Sequence, residues 1–219
     1  MNYLSHFYIH QKANAPYFNT GLILPDLARG FVKSFKPRMF EKSEEMESLY
    51  QGCMQHYEAD KIFHSSEFFN WGTQICIEEL KQAKFQSAVE RRWFIGHVMF
   101  EMFLDRVLVN HKKQVSHDFY DSLQLVNDQI LNDFLKMNHA RESEKLLHYF
   151  NHFRRVRYII NYSDNNLFVF SLSRVLVRAG LEGLSFYDKL ILEESMSKLE
   201  NGVFKDIYSL LLRLKQVFK

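Results

Sequence analysis

The fold is decided by residues 94–105, which read FIGHVMFEMFLD. Apolar side chains cover most sides of this segment when it is wound as an α-helix, which predicts a central, buried helix. Three polar residues interrupt it at a spacing of four: His97, Glu101 and Asp105. Because positions four apart lie on one face of a helix, their side chains form a single stripe.

A polar stripe on a buried helix needs partners, since lone buried charges are costly. One interpretation is that His97, Glu101 and Asp105 bind a metal ion or water. The other is that they form salt bridges with the nearby arginines Arg91, Arg92 or Arg106. The residues alone leave both interpretations open.

A second stripe with the same spacing lies earlier in the chain, at His56, Asp60 and His64. Imidazole nitrogen and carboxylate oxygen are ligands that suit Mn, Fe or Zn. Gly52 and Ala59 are small enough to let another segment approach this helix closely. The stripe is also compatible with a solvated polar face. Two helices that each carry histidine and carboxylate could together supply one metal site if they faced each other.

The rest of the sequence favours an all-α fold of one compact domain over residues 1–219. All 3 prolines lie in the first 37 residues, and proline is the strongest helix breaker. We expect residues 1–112 to carry the site and residues 113–219 to complete the helical domain. An irregular segment is predicted around Pro16, and a short helical turn within residues 21–30. The predicted helices lie at about 3–11, 43–64 (starting at Ser43), 66–84 (capped by Ser66), 88–112, Ser116 or Asp118 to 137, 143–162, 167–179 and 185–219, the last with a break near Gly202.

The composition excludes several classes of protein. The net charge is +2, from 28 basic and 26 acidic residues, which gives no reason to expect nucleic-acid binding. No stretch has the length and apolarity of a membrane span, and the N-terminus lacks the pattern of a signal peptide, so we expect a cytoplasmic protein. The 2 cysteines, Cys53 and Cys76, predict buried thiols and neither a disulfide framework nor a zinc-thiolate site.

Four short motifs resemble a known family. Residues 1–6, MNYLSH, resemble the Met-Asn-Phe-Leu-Ala-His opening of bacterial acyl carrier protein phosphodiesterases. Residues 21–30, GLILPDLARG, are similar to their Gly-Asn-x-Leu-x-Asp-Phe-x-Arg-Gly segment. Residues 52–60, GCMQHYEAD, resemble their Gly-x-x-x-His-Arg-x-Ile-Asp helix, and residues 96–108 a later helix with two carboxylates four apart. The motifs occur in the same order over the first 110 residues or so; beyond them only helical character agrees.

The resemblance implies a function. That family is a divergent branch of the HD-type metal-dependent phosphohydrolases: helical enzymes that use Mn to release 4′-phosphopantetheine from a serine of acyl carrier protein. Mn is therefore the expected metal, with Mg, Fe or Zn as alternatives. The implied metal ligands are His6, Asp26, His56, Asp60, His97 and Glu101. Asp26 and Asp60 are also the implied catalytic residues, and Arg29 is a candidate catalytic residue that would offset the charge developing at the phosphate.

The remaining candidates take supporting roles in this interpretation. We expect His64 and Asp105 to lie behind the ligands and orient them. The basic cluster Arg154, Arg155 and Arg157 is a candidate surface for the acidic acyl carrier protein. The chain departs from the family pattern at Leu22, Tyr57, His64, His97 and Met102. These departures keep two alternatives open, a metal hydrolase that acts on another phosphoester and a non-catalytic helical binding protein on the same scaffold.

Overall fold

The computed structural model describes residues 1–36, 43–86 and 91–218. In these residues the chain is all-α, and its one β-type pairing is an isolated bridge between Arg29 and Val32. None of the described helices is long and apolar enough to cross a membrane. The helices are α1 (Tyr3–His10), α2 (Pro16–Gly21), α3 (Leu24–Leu27), α4 (Glu44–His64), α5 (Glu67–Gln82), α6 (Arg92–His111), α7 (Lys113–Gln124), α8 (Asp128–Met137), α9 (Ser143–Val156), a 3₁₀ helix (Tyr158–Ser163), α10 (Asn165–Arg178), α11 (Phe186–Asn201) and α12 (Ile207–Val217).

Helix α6 lies at the centre of the structure, as the apolar segment at residues 94–105 predicts. It packs against α1, α5, α7, α10, α12 and the 3₁₀ helix, and nearly all its residues from Met99 to Val109 are buried. Phe204, which precedes α12, packs its ring against Phe100 and Phe103 of α6. The first and last parts of the chain therefore share contacts around one helix.

Two predicted helix starts are confirmed by their caps. The Ser43 hydroxyl accepts a hydrogen bond from the Met46 N–H at 3.3 Å, and the Ser66 hydroxyl accepts one from the Phe69 N–H at 3.1 Å. Each serine satisfies a backbone donor that has no partner inside the helix. Both cysteines are buried and free, also as predicted.

Other predicted elements are wrong. The segment around Pro16 is helical, because proline at the first position of α2 removes only an N–H that would have no partner there. The single helix predicted up to residue 137 is two helices, and the Asn127 side chain caps α8 by accepting from the N–H groups of Gln129 and Ile130. The helix predicted at 143–162 ends at Val156, where Arg157 adopts a left-handed backbone with φ 54°. Pro37 and the first residues of the helix predicted at 88–112 lie outside the described residues.

A close contact between two glycines sets the position of α2 on α4. A Cβ atom on Gly21 would overlap the backbone at Leu49 and Gly52, and one on Gly52 would overlap the backbone at Phe18 and Gly21. Only a residue without a side chain fits at either position. This contact places Leu22 and the start of α3 beside the polar face of α4.

Candidate metal centre

The first group of possible ligands combines α1 with α4. His56 and Asp60 lie one turn apart on α4, and their nearest side-chain atoms, His56 Nε2 and Asp60 Oδ2, are 3.4 Å apart. His6 from α1 places Nε2 3.0 Å from Asp60 Oδ1. One ligand atom from each of the three lies within 4.8 Å of the others, so the group could hold a metal ion. The residues are His6, His56 and Asp60.

The His56 ring is held in an orientation that suits a ligand. Its Nδ1 lies 2.8 Å from the Leu22 carbonyl oxygen. Because a carbonyl only accepts, Nδ1 carries the proton in the neutral ring and Nε2 is left with a free electron pair facing Asp60. A backbone carbonyl in this position is a frequent partner of metal-binding histidines. The contact between Gly21 and Gly52 keeps that carbonyl in place.

The buried His6 ring supplies the test of whether these residues fit a metal. In the described part of the chain neither ring nitrogen of His6 makes a well-directed hydrogen bond, although the side chain is completely buried. Burial, and then the neighbouring His56, lower the pKa of His6 well below its usual value, so the ring is neutral. A buried polar atom without a hydrogen bond is costly. A cation bound to the electron pair of Nε2 would remove the cost at that atom.

Asp26 lies at the edge of the first group. Its Oδ1 is 4.0 Å from His56 Nε2, but Asp26 is not one of the three residues whose ligand atoms all lie within 4.8 Å of one another. Its side chain is 27% exposed, which leaves the carboxylate accessible to water. Burial of the residue raises its pKa, and the neighbouring carboxylates Asp60 and Glu101 add to the shift.

A second group of possible ligands joins α4 to α6. Glu101 Oε1 lies 2.8 Å from His64 Nε2 and 3.2 Å from His97 Nε2. These three residues could hold a metal ion as well. His64, which the sequence analysis expected behind the ligands, is thus itself one of the residues that could hold a metal ion in this group. His64 and His97 are 34% and 31% exposed, against 0% and 3% for His6 and His56, so this group is the open side of the centre.

The amino group of Met1 lies between the two groups. It is buried and forms ion pairs with Asp60 Oδ1 at 2.8 Å and Glu101 Oε1 at 3.0 Å. Burial alone would lower the pKa of this amine, but Glu101 and Asp60 outweigh burial and raise it to about 10. Burial would raise the pKa of both carboxyls, but His6 and the Met1 amine hold the pKa of Asp60 well below its usual value, and the Met1 amine with His64 and His97 does the same for Glu101. The space between the two carboxylates therefore stabilises a positive charge.

Asp105 connects the central helix to α1. Its carboxylate accepts hydrogen bonds from the Ser5 N–H and Ser5 hydroxyl, both at 2.7 Å, and from the Leu4 N–H at 3.1 Å. Burial raises the pKa of this carboxyl to about 7, although these donors favour its charged form. Asp105 thus satisfies the backbone donors of the first turn of α1 and fixes the helix that carries His6.

The arginines considered as salt-bridge partners of α6 do not take that role in the described residues. Arg106 turns away from the stripe and pairs with Glu200 at 2.7 Å, while it also donates to the Tyr162 carbonyl oxygen. The acids on the stripe, Glu101 and Asp105, instead contact histidines, Met1 and the backbone of α1. These contacts compensate the cost of burying the two carboxylates.

The remaining predicted residues lie apart from the two groups. Arg29 is exposed just after α3, where its backbone N–H donates to the Asp26 carbonyl. Arg154 is paired with Asp128 at 2.6 Å and also donates to two backbone carbonyls, and Arg157 is paired with Asp121 at 2.7 Å. Arg155 is exposed. Two of the three arginines of the predicted partner surface thus form intramolecular ion pairs.

Sequence reasoning missed the contacts that depend on distant parts of the chain. The Leu22 carbonyl and the Met1 amine leave no side-chain signal, since both are backbone groups.

Comparison with known proteins does not identify the site, because no family model matches the chain and no curated protein or solved structure is significantly similar to it. Membership of the acyl carrier protein phosphodiesterase family therefore stays a prediction from four short motifs.

Proposed function

We propose that this protein is a metal-dependent phosphodiester hydrolase, and that its substrate is the 4′-phosphopantetheine phosphodiester of acyl carrier protein. The observation that carries the proposal is the pair of adjoining histidine–carboxylate groups. Their carboxylates, Asp60 and Glu101, both pair with the Met1 amine that lies between them. The choice of substrate, and of Mn as the metal, rests on the family resemblance alone.

Each of the two groups would contribute ligands to the metal centre. His6, His56 and Asp60 would form the buried part of the centre, while His64, His97 and Glu101 would form the part open to solvent. A bound divalent ion lowers the pKa of its water and polarises the phosphoryl oxygens. In the neutral ring the Leu22 carbonyl fixes the tautomer with the proton on Nδ1, so that His56 Nε2 presents its electron pair.

Asp26 is the residue best placed to move a proton. Its carboxylate is partly exposed, lies 4.0 Å from His56 Nε2 and has a raised pKa. A carboxylate with these properties is a better general base than one that is fully solvated. Arg29, exposed just beyond it, would offset the charge that develops on the phosphoryl group. Arg155 remains the most accessible residue of the basic cluster proposed to meet the acidic carrier protein.

Incubation with holo-acyl carrier protein and Mn²⁺ tests the proposal. We expect release of free phosphopantetheine by the wild type. Asp60→Ala should abolish the release, whereas Glu58→Ala, an exposed acid on the same helix, should retain it. Absence of release beside an active reference enzyme would refute the substrate. A panel of generic phosphodiesters then separates a hydrolase with another substrate from a protein without phosphodiesterase activity.

Metal analysis tests the more general part of the proposal. We expect the purified wild type to bind Mn²⁺, and Asp60→Ala to bind it at least about tenfold more weakly, because the mutation removes a ligand from the buried group. A wild type that binds no divalent metal would contradict any metal-dependent activity and would favour the non-catalytic binding protein.

A further inference from the structure

Arg178, the last residue of α10, lies beside the candidate metal centre although no motif pointed to it. Its Nη2 donates to the Asp26 carbonyl oxygen at 3.2 Å and to the Tyr3 hydroxyl at 3.4 Å. Its Nη1 donates to the Tyr149 hydroxyl at 2.8 Å. The guanidinium therefore contacts the backbone of the same residue whose carboxylate faces His56.

The acceptors that hold Arg178 are all uncharged. Within residues 1–36, 43–86 and 91–218 no carboxylate forms an ion pair with this guanidinium. Other anchored arginines of the chain differ, since Arg106 is paired with Glu200 and Arg154 with Asp128. Arg178 thus keeps an unneutralised positive charge, and the residue is exposed on the surface.

The geometry around Arg178 favours an anion as its missing partner. A guanidinium has more N–H donors than these three hydrogen bonds use. Its neutral partners limit the positions that the group can take, so little conformational freedom is lost when a ligand binds. Arginine matches the oxygens of phosphate with paired, parallel N–H donors, and such charge-assisted bonds are among the strongest in proteins.

We propose that Arg178 binds the phosphoryl group of the substrate at the rim of the metal centre, next to Asp26. This inference rests on the proposed function, because it assigns a phosphate-binding residue to that same site. One residue, Asp26, then has two roles: its carboxylate faces the histidines, and its carbonyl holds the arginine. Arg178 adds a positive charge from α10, an element outside the resembling first 110 residues.

Titration with inorganic phosphate tests the proposal without requiring turnover. Phosphate is added to the wild type without metal and again with Mn²⁺, and binding is followed by calorimetry. We expect Arg178→Gln to weaken phosphate binding roughly 10- to 100-fold in both series, as for the loss of hydrogen bonds to a charged group. Arg178→Lys should fall between the two, because it keeps the charge and loses the paired donors.

The matched control is Arg174→Gln, which removes an exposed arginine one turn earlier on the same helix. We expect it to bind phosphate as the wild type does. Thermal unfolding of each variant shows whether the fold is kept; if Arg178→Gln does not fold, the comparison of Arg178→Lys with Arg174→Gln decides. Equal phosphate affinity in Arg178→Gln and the wild type, equal loss in the control, or no phosphate binding by the wild type would each overturn the proposal.

The same experiment separates this inference from the proposed function. A protein that binds phosphate through Arg178 and releases no phosphopantetheine supports the phosphate site and contradicts the proposed substrate. A protein that releases phosphopantetheine with an unchanged KM in Arg178→Gln supports the substrate and contradicts the role of Arg178.

Discussion

The imidazole rings of His6 and His56 stack on each other, with ring centroids 4.0 Å apart and planes inclined by 24°. The two rings come from different helices, α1 and α4, and both are buried. Two protonated rings at this distance would repel strongly in a medium of low dielectric constant. At least one ring of the stack is therefore neutral, and burial lowers the pKa of His6 well below its usual value, so His6 is in the state in which histidine binds metals.

The two groups of ligands predict a metal stoichiometry. Metal ions in two-metal hydrolases lie about 3.5–4 Å apart, close enough to share a carboxylate environment. We expect the wild type to bind two Mn²⁺ per chain at saturation and His97→Ala to bind one, since the mutation removes a ligand of the open group only. Calorimetry with elemental analysis measures this. His152→Ala, an exposed histidine on α9, is the control, and an unchanged count in His97→Ala would contradict a second site.

The glycine contact between α2 and α4 predicts a large effect from a single methyl group. In Gly52→Ala the new Cβ would overlap the backbone at Phe18 and Gly21, so the helices must move apart. We expect the free energy of unfolding to fall by about 1–3 kcal/mol, as for other overpacked sites. Gln51→Ala changes the neighbouring exposed position and should change it by less than about 0.5 kcal/mol. Urea denaturation measures both, and equal stability of the two variants would contradict the close contact.

We predict that Asp105 supports metal binding by holding α1 in position, and that it is not itself a metal ligand. Asp105→Ala leaves the N–H groups of Leu4 and Ser5 buried without their acceptor, which should cost about 2–4 kcal/mol of unfolding free energy. Mn²⁺ binding should weaken as well, because His6 is no longer held in position. Denaturation and metal titration, both at a temperature where the variant is folded, measure the two effects. Undiminished metal affinity would show that α1 keeps His6 in place without Asp105.

The half-buried His10 ring predicts part of the pH dependence of stability. Burial lowers the pKa of His10 from 6.5 to about 4, so below pH 6.5 the unfolded chain binds a proton that the folded chain does not. The contribution of His10 to the free energy of unfolding is fully present above pH 6.5 and is lost as the pH falls towards 4. We expect His10→Gln to reduce the acid-induced loss between pH 6.5 and 4 by roughly 1–2 kcal/mol, after allowing for partial exposure.

Denaturant unfolding at several pH values checks the role of His10. The control is His148→Gln, which removes an exposed histidine on α9. An identical pH profile in the wild type and His10→Gln would show that the His10 ring is protonated in the folded protein as readily as in the unfolded chain.

Local features of this protein could be predicted from the sequence because they depend on helix geometry alone. The spacing of four puts His56 with Asp60 and His97 with Glu101 on one face each, and both pairs are in contact in the structure. Serine before an acidic first turn predicts the start of α4, and Ser43 caps it. The apolar run around Phe100 predicts a buried central helix, which α6 is. Spacing alone did not show which other residues join the two stripes.

The partners of each stripe were decided by the packing of distant helices. His6 and Asp26 are isolated in the sequence and were selected only through the resemblance, yet the structure brings His6 within 3.0 Å of Asp60. His64, the last residue of α4, joins His97 and Glu101, because its Nε2 lies 2.8 Å from Glu101 Oε1 of α6.

The sequence by itself determined an all-α chain with a buried central helix and two helical stripes of ligand-type residues. The tertiary structure decided that these stripes converge, that the Leu22 carbonyl orients His56 and that Arg178 lies against Asp26. The reason is that the first set follows from hydrogen bonding and periodicity within one helix. The second set depends on how closely separate helices approach, which here is fixed by Gly21 against Gly52 and by Asp105 on the first turn of α1.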